Sequence, residues 1–249
     1  MNKETGEIDI RTMHIIGGRT HQQDSFCCLE SHKLFAVADG IGGTIGGEIA
    51  SKTVIDTIIN FVKTRKVNVL SKNQILNISD LVVENLQKAL QKDSELEGMG
   101  STLAMVQIND DNILVCHIGD TRIIHIQKPN ISYWASRDHS LVQELFEAGI
   151  LKSEKEMMAH PLRNIITRSL QISKGGIEKV YPEFDTIYPF SIGDILLICT
   201  DGCLETMTNR DVVDLFKSNP FEKAWDKFQK ICYSQSLDNS TCILLKKIK

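Results

Sequence analysis

The chain has 249 residues, of which 42% are apolar and 24% charged, and its net charge is −4. That length can bury a substantial core, and the acidic balance supports neither a nucleic-acid surface nor an anionic-membrane surface. No apolar stretch reaches the roughly 20 residues that span a bilayer. Met1 to Ile10 is polar and acidic, unlike a signal peptide. The seven cysteines are scattered, with no Cys-x-x-Cys pair, so neither a zinc site nor a disulfide framework is indicated and a reducing, cytoplasmic setting is expected.

Short apolar runs bounded by Gly, Asp or Asn predict strands near Ser25 to Leu29 and Leu34 to Ala38. A helix is predicted over about Gly46 to Lys63, with Ile49, Val54, Ile58 and Phe61 or Val62 on one face. A second covers about Ser71 to Lys92, with Ile75, Ile78, Val82, Leu86 and Leu90 at helical spacing. Strands follow near Ser101 to Ile108, Asn112 to Ile118 and Arg122 to Gln127. Their short separations favour antiparallel connections. Residues 136–170 are short-helix and loop material, too long for a plain connection; the pattern fits both a lid and a peripheral excursion. Beyond them, strands are predicted near Ile177 to Tyr181, Asp194 to Cys199 and Thr241 to Lys247, and a helix over about Phe221 to Gln235. The whole is a layered α/β structure rather than a doubly wound parallel sheet.

Aspartates mark the ends of these apolar runs. Leu34 to Ala38 ends in Asp39-Gly40, Ile113 to Ile118 in Gly119-Asp120, and Ile195 to Cys199 in Thr200-Asp201-Gly202, while Asp238-Asn239 opens the last run. Asp-Gly between apolar residues is first a hairpin signal, yet neither Asp39-Gly40 nor Asp201-Gly202 is followed by an immediate return strand. Gathered together, such carboxylates would repel and raise one another's pKa, a cost that divalent cations remove. The pattern therefore points to hard metal ions and to hydrolysis of a phosphate ester. Gly40 to Gly47 lacks the Lys-Ser/Thr ending of a P-loop; it fits a turn that brings backbone close to metals. Arg19, ahead of Asp24, supplies a guanidinium able to grip a phosphate. There is no His-Glu-x-x-His, no Gly-x-Ser-x-Gly and no Cys-x5-Arg, so zinc-protease, serine-hydrolase and cysteine-phosphatase chemistries are not indicated.

Ordered motifs run from Arg19 to Asn239. They are Arg19 to Ser25, Val37 to Gly43 with Gly47-Glu48 and Ala50-Ser51, Gly98 to Thr102, and Gly119 to Arg122. Asp138-His139-Ser140, His160-Pro161 with Arg163-Asn164, Gly193-Asp194, Thr200 to Gly202 and Asp238-Asn239 follow. Together they resemble the metal-dependent (PPM, type 2C) serine/threonine protein phosphatases in their compact bacterial form. The resemblance implies an α+β fold, a four-layer α/β/β/α sandwich of two antiparallel sheets packed face to face with flanking helix pairs. It implies one catalytic domain over residues 1–249, with a flap subdomain at about 136–172 tied to substrate choice.

The resemblance also assigns roles. Asp39 would bridge two metal ions, with the Gly40 carbonyl on one of them. Asp201 and Asp238 would complete the other, and Asp24 would hold metal-bound water nearby. Asp120, with Asp201, matches a third, weaker site, and Arg19 matches the phosphate clamp; Arg19, Asp39 and Asp238 are the expected catalytic residues. Mn2+ or Mg2+ is the expected cofactor, since hard cations choose oxygen ligands. A metal-bridging hydroxide is expected to attack phosphoserine or phosphothreonine in line, without a phosphoenzyme. Expected partners are phosphorylated Ser/Thr proteins, including a cognate Ser/Thr kinase or its substrates, with no nucleic acid and no membrane; the expected state is a monomer. Three positions depart from the family pattern: Gln23 for Glu, Ile41 for Met or His, and Gln171 for Gly. A non-catalytic phosphoprotein-binding relative and a phosphatase of small metabolites are the competing readings.

Overall fold

The computed structural model describes residues 3–5, 7–110, 112–128, 132–172 and 180–249. In chain order the strands are β1 (Lys3–Thr5), β2 (Ile8–Ile15), β3 (Asp24–Leu29), β4 (Leu34–Ile41), β5 (Gly100–Ser101), β6 (Leu103–Ile108) and β7 (Ile113–Ile118). They continue as β8 (Arg122–Ile126), β9 (Tyr133–Ala135), β10 (Leu170–Gln171), β11 (Glu183–Ile187), β12 (Ile195–Cys199) and β13 (Ser240–Lys247). The helices are α1 (Gly43–Arg65), α2 (Lys72–Lys92), α3 (Leu141–Glu147), α4 (Glu154–Ala159), α5 (Asn209–Ser218) and α6 (Phe221–Gln235).

The strands form two antiparallel sheets. One has the order β1-β2-β13-β12-β8-β9; the other has β10-β5-β4-β6-β7-β11, with β3 paired to β4. Period-2 alternation sorts their side chains. In β4, Leu34, Ala36 and Ala38 pack under α1 and α2, while Phe35 and Val37 turn to the layer between the sheets. In β12, Ile195, Leu197 and Cys199 pack against α5 and α6, while Leu196 and Ile198 face the other sheet. Both faces of these strands are buried, which is why they appear as unbroken apolar runs. The result is an α+β sandwich of two sheets flanked by helices.

The helices start where local chemistry places them. Ser71 and Gln74 form a capping box at α2, and Thr208 and Asp211 form another at α5; each satisfies backbone N–H groups that the first turn leaves unpaired. The apolar spacing of α2 buries Ile75, Ile78, Val82 and Leu86.

Some elements depart from expectation. The strand expected near Ile177 to Tyr181 falls partly outside the described residues. Val180 and Tyr181 are not in a strand; the strand pairing with β7 is Glu183–Ile187. Its polar sequence hides it, because only Ile187 of its five residues is buried. β2 starts inside the polar segment Met1 to Ile10, where Asp9 and Arg11 are buried together, joined by two hydrogen bonds of 2.8 and 2.9 Å. The Gly40 to Gly47 run is not a separate loop: Gly40 and Ile41 end β4, Gly42 caps α1, and Gly43 to Gly47 open the helix.

Candidate metal centre and active site

Register gathers the aspartates at one edge of the sandwich. Pairing of β3 with β4 sets Asp24 opposite Asp39. In the other sheet, Asp201 follows β12 and Asp238 precedes β13, its antiparallel neighbour, so both stand at the same sheet end. Asp120 lies where the chain crosses from β7 in one sheet to β8 in the other, and the first residue of β8, Arg122, pairs with Cys199 at the end of β12. Thr200 ties the sheets together: its hydroxyl donates to Asp24 Oδ2 at 2.9 Å and accepts the Thr241 N–H at 2.9 Å.

The backbone around Asp39 is equally fixed. Its carbonyl accepts the Thr102 N–H at 2.8 Å and the Ser101 hydroxyl at 3.0 Å. Its own N–H donates to Thr102 Oγ1 at 2.9 Å. Gly40 donates to the Gln23 carbonyl at 3.1 Å, and a Cβ at position 40 would stand 1.9 Å from the Gly47 carbonyl oxygen. Only glycine lets strand and helix approach so closely. Gln23 bonds the Gly43 carbonyl through its side chain, joining β3 to the start of α1. Asn239 closes the loop: its Oδ1 accepts the Gln23 N–H at 2.8 Å and its N–H donates to Asp238 Oδ1 at 2.8 Å.

The electrostatics follow from this crowding. Burial raises the Asp24 pKa to about 7, with Asp201 and Asp238 adding to the shift and the hydroxyls of Thr241 and Thr200 opposing it. Burial and then Asp238 push Asp201 up to about 6. Burial holds Asp39 and Asp120 well above the usual carboxylate range, reinforced at Asp39 by Asp24, Asp201, Asp120 and Asp238. Among the described residues, Asp24 Oδ1, Asp120 Oδ1 and Asp201 Oδ1 are buried without a hydrogen-bond partner. Buried acceptors are ordinarily satisfied, and oxygen-only donors suit hard divalent ions. The residues therefore fit a metal centre. Arg19 sits on its rim, Nη2 donating to Asp238 Oδ2 at 2.7 Å.

The protein phosphatase 2C family model matches residues 11–241. The chain belongs to that family. It is 34% identical over 206 residues to the protein phosphatase PhpP of Streptococcus pneumoniae, covering 81% of this chain and 80% of that one. The Streptococcus agalactiae serine/threonine phosphatase superimposes with a TM-score of 0.77 at 28% identity, covering 97% of this chain and 100% of that one. For Mycobacterium tuberculosis PstP/Ppp the TM-score is 0.82 at 22% identity, with coverage of 98% and 100%. As a protein phosphatase 2C, the chain is a metal-dependent serine/threonine phosphatase of bacterial compact type.

A second group also has the composition of a metal site: His117, His139 and Glu183 bring potential ligand atoms within 4.8 Å of one another. It already holds a cation. Arg168 Nη1 donates to Glu183 Oε1 at 2.6 Å and lies 3.2 Å from His139 Nε2. His139 Nδ1 accepts the Gly119 N–H at 3.0 Å, which leaves the proton of the neutral ring on Nε2. Both features disfavour an ion. The group instead braces the two roots of the 136–172 segment against the turn that carries Asp120. His139 is thus a hydrogen-bonded side chain with a positioning role.

The sequence assigns no role to Thr200, to Thr241 or to the bidentate Arg122–Asp138 pair. Thr200 adjoins Asp201 in sequence, and that adjacency was the available signal. No residue pattern announces that its hydroxyl meets Asp24, 176 positions away.

Proposed function

We propose that this chain hydrolyses phosphoserine and phosphothreonine in proteins at the aspartate cluster, in one in-line displacement without a phosphoenzyme. The observation that carries the reading is the convergence of Asp24, Asp39, Asp120, Asp201 and Asp238 into one mutually repelling, partly unsatisfied group beside Arg19. Asp39, Asp201, Asp238 and the Gly40 carbonyl would hold two ions, Mn2+ or Mg2+, with Asp24 beside them, and Asp120 with Asp201 would hold a third. When bound, the ions acidify water and offset charge on phosphoryl oxygens.

The chain's own groups have separable tasks. Thr200 orients Asp24 through Oδ2 and leaves its Oδ1 for a ligand, while Asp238 takes the Asn239 N–H on Oδ1 and Arg19 on Oδ2. Arg19 is exposed enough to leave Asp238 for a phosphate, and its fork geometry suits bidentate recognition. The 136–172 segment is the flap of a single catalytic domain. Among the described residues no helix is long and apolar enough to cross a membrane. We place the enzyme in the cytoplasm as a monomer, acting on a Ser/Thr kinase or its substrates.

Release of inorganic phosphate from a phosphothreonine peptide, with Mn2+ and with EDTA, tests the reading. Turnover is expected with Mn2+ alone, well above that on sugar phosphates. Turnover that survives EDTA, or a preference for sugar phosphates, would overturn it.

A further inference from the structure

Asp120, Asp201, Asp238 and Arg19 form only part of the wall of a cavity of about 430 Å3, within the ~300–1,000 Å3 range of ligand pockets. The flap helices form another part, through Val142 and Phe146 of α3 and Met157 and Met158 of α4.

The charged groups along this second part are matched among themselves. Arg122 Nε donates to Asp138 Oδ1 at 2.9 Å, and Asn209 Nδ2 to Glu154 Oε1 at 2.9 Å. Arg163 stands 3.7 Å from Glu205, and Arg137 3.5 Å from Glu147. With Arg122, Arg137 and Arg163 each facing a carboxylate and Glu154 held by the Asn209 amide, an acidic or basic ligand gains little here. An apolar side chain gains burial, and flexible methionines repack around varied shapes.

We propose that the Phe146–Met157–Met158 wall is a specificity subsite for a large apolar side chain flanking the phosphorylated residue. The enzyme would then select phosphothreonine or phosphoserine set among residues such as Leu, Met or Phe. This inference rests on the phosphatase reading above. Continuity names the occupant: a phosphoryl group at the aspartates brings its own polypeptide into the same cavity. Neighbouring residues of an extended chain lie only about 3.3 Å apart along it, so the substrate itself reaches the apolar wall.

The test compares three phosphothreonine peptides in Mn2+, identical except for leucine, glycine or glutamate at the flanking positions. The leucine peptide is expected to show kcat/KM at least about tenfold above the other two, as a well-filled apolar pocket allows. Phe146→Ser should bring the leucine-to-glycine ratio toward one. Met158→Gln, at a half-buried position, reads the same ratio should the first variant unfold. Equal kcat/KM for all three peptides, faster turnover of the glutamate peptide, or a ratio unmoved in folded variants would overturn the subsite while leaving the phosphatase reading intact. No turnover of any peptide by the metal-loaded wild type would overturn both.

Discussion

Asp39 and Asp238 stand in the same cluster, yet their surroundings differ. Asp39 is held by backbone bonds to Ser101 and Thr102, whereas Asp238 is partly exposed and paired with Arg19. Asp39→Asn and Asp238→Asn are both expected to lower kcat on an aryl phosphate by more than ~100-fold, beyond the 10–100-fold typical of residues that merely support a ligand. Circular dichroism should show the fold retained, and near-normal turnover in either variant would refute the assigned roles. Arg19→Ala is expected to raise KM more than it lowers kcat; an unchanged KM would count against the phosphate clamp. Thr200→Val removes the donor to Asp24 and the acceptor for the Thr241 N–H. Calorimetric titration should show Mn2+ binding weakened about 10–100-fold. The buried N–H left unpaired costs about 1–3 kcal/mol of stability.

At the scale of elements, sequence and structure agree best where both faces of a strand are buried. β4, β7, β12 and β13 are apolar runs because α1 and α2, or α5 and α6, cover one face and the opposite sheet covers the other. β11 escaped notice because it is an edge strand with one buried residue in five, and β2 because its buried charges cancel in a pair. The junction of β4 with α1 is a close element contact at the site. Gly40→Ala would drive a methyl group into the Gly47 carbonyl, and overpacking of this kind costs about 1–3 kcal/mol. A lowered denaturant midpoint together with loss of activity is the expected result; a variant with wild-type midpoint and rate would show that the close approach is dispensable.

For the whole molecule, the site opposes folding until it is loaded. Asp24 and Asp201 titrate near 7 and 6 in the metal-free fold, against about 3.9 in an unfolded chain. The folded state therefore binds these protons more tightly. Their stabilising contribution is complete below pH ~3.9 and is lost as pH rises through 6 and 7. Metal-free protein should show a Tm that falls between pH 5 and pH 8. Metal binding keeps the carboxylates ionised and stabilises the native state by mass action, about 2.7 kcal/mol at a free ion concentration of 100 Kd. Differential scanning fluorimetry should thus show a gap between Mn2+ and EDTA samples that widens with pH. A gap that stays constant or narrows across that range would contradict the coupling.

Sequence alone determined the layered fold, the run of acidic strand ends and the chemistry they imply. Those depend on local order: a buried strand leaves an apolar run, and a carboxylate at its end is visible wherever the chain then goes. Tertiary structure alone decided which oxygen of Asp24 is held by Thr200 and which is left for ions, that Arg168 fills the His117–His139–Glu183 group, and that α3 and α4 contribute an apolar wall to the cavity of Asp201 and Asp238. Each of these is a meeting of residues from different elements. Its energetics come from burial and register between segments far apart in the chain, and composition and periodicity carry no record of that.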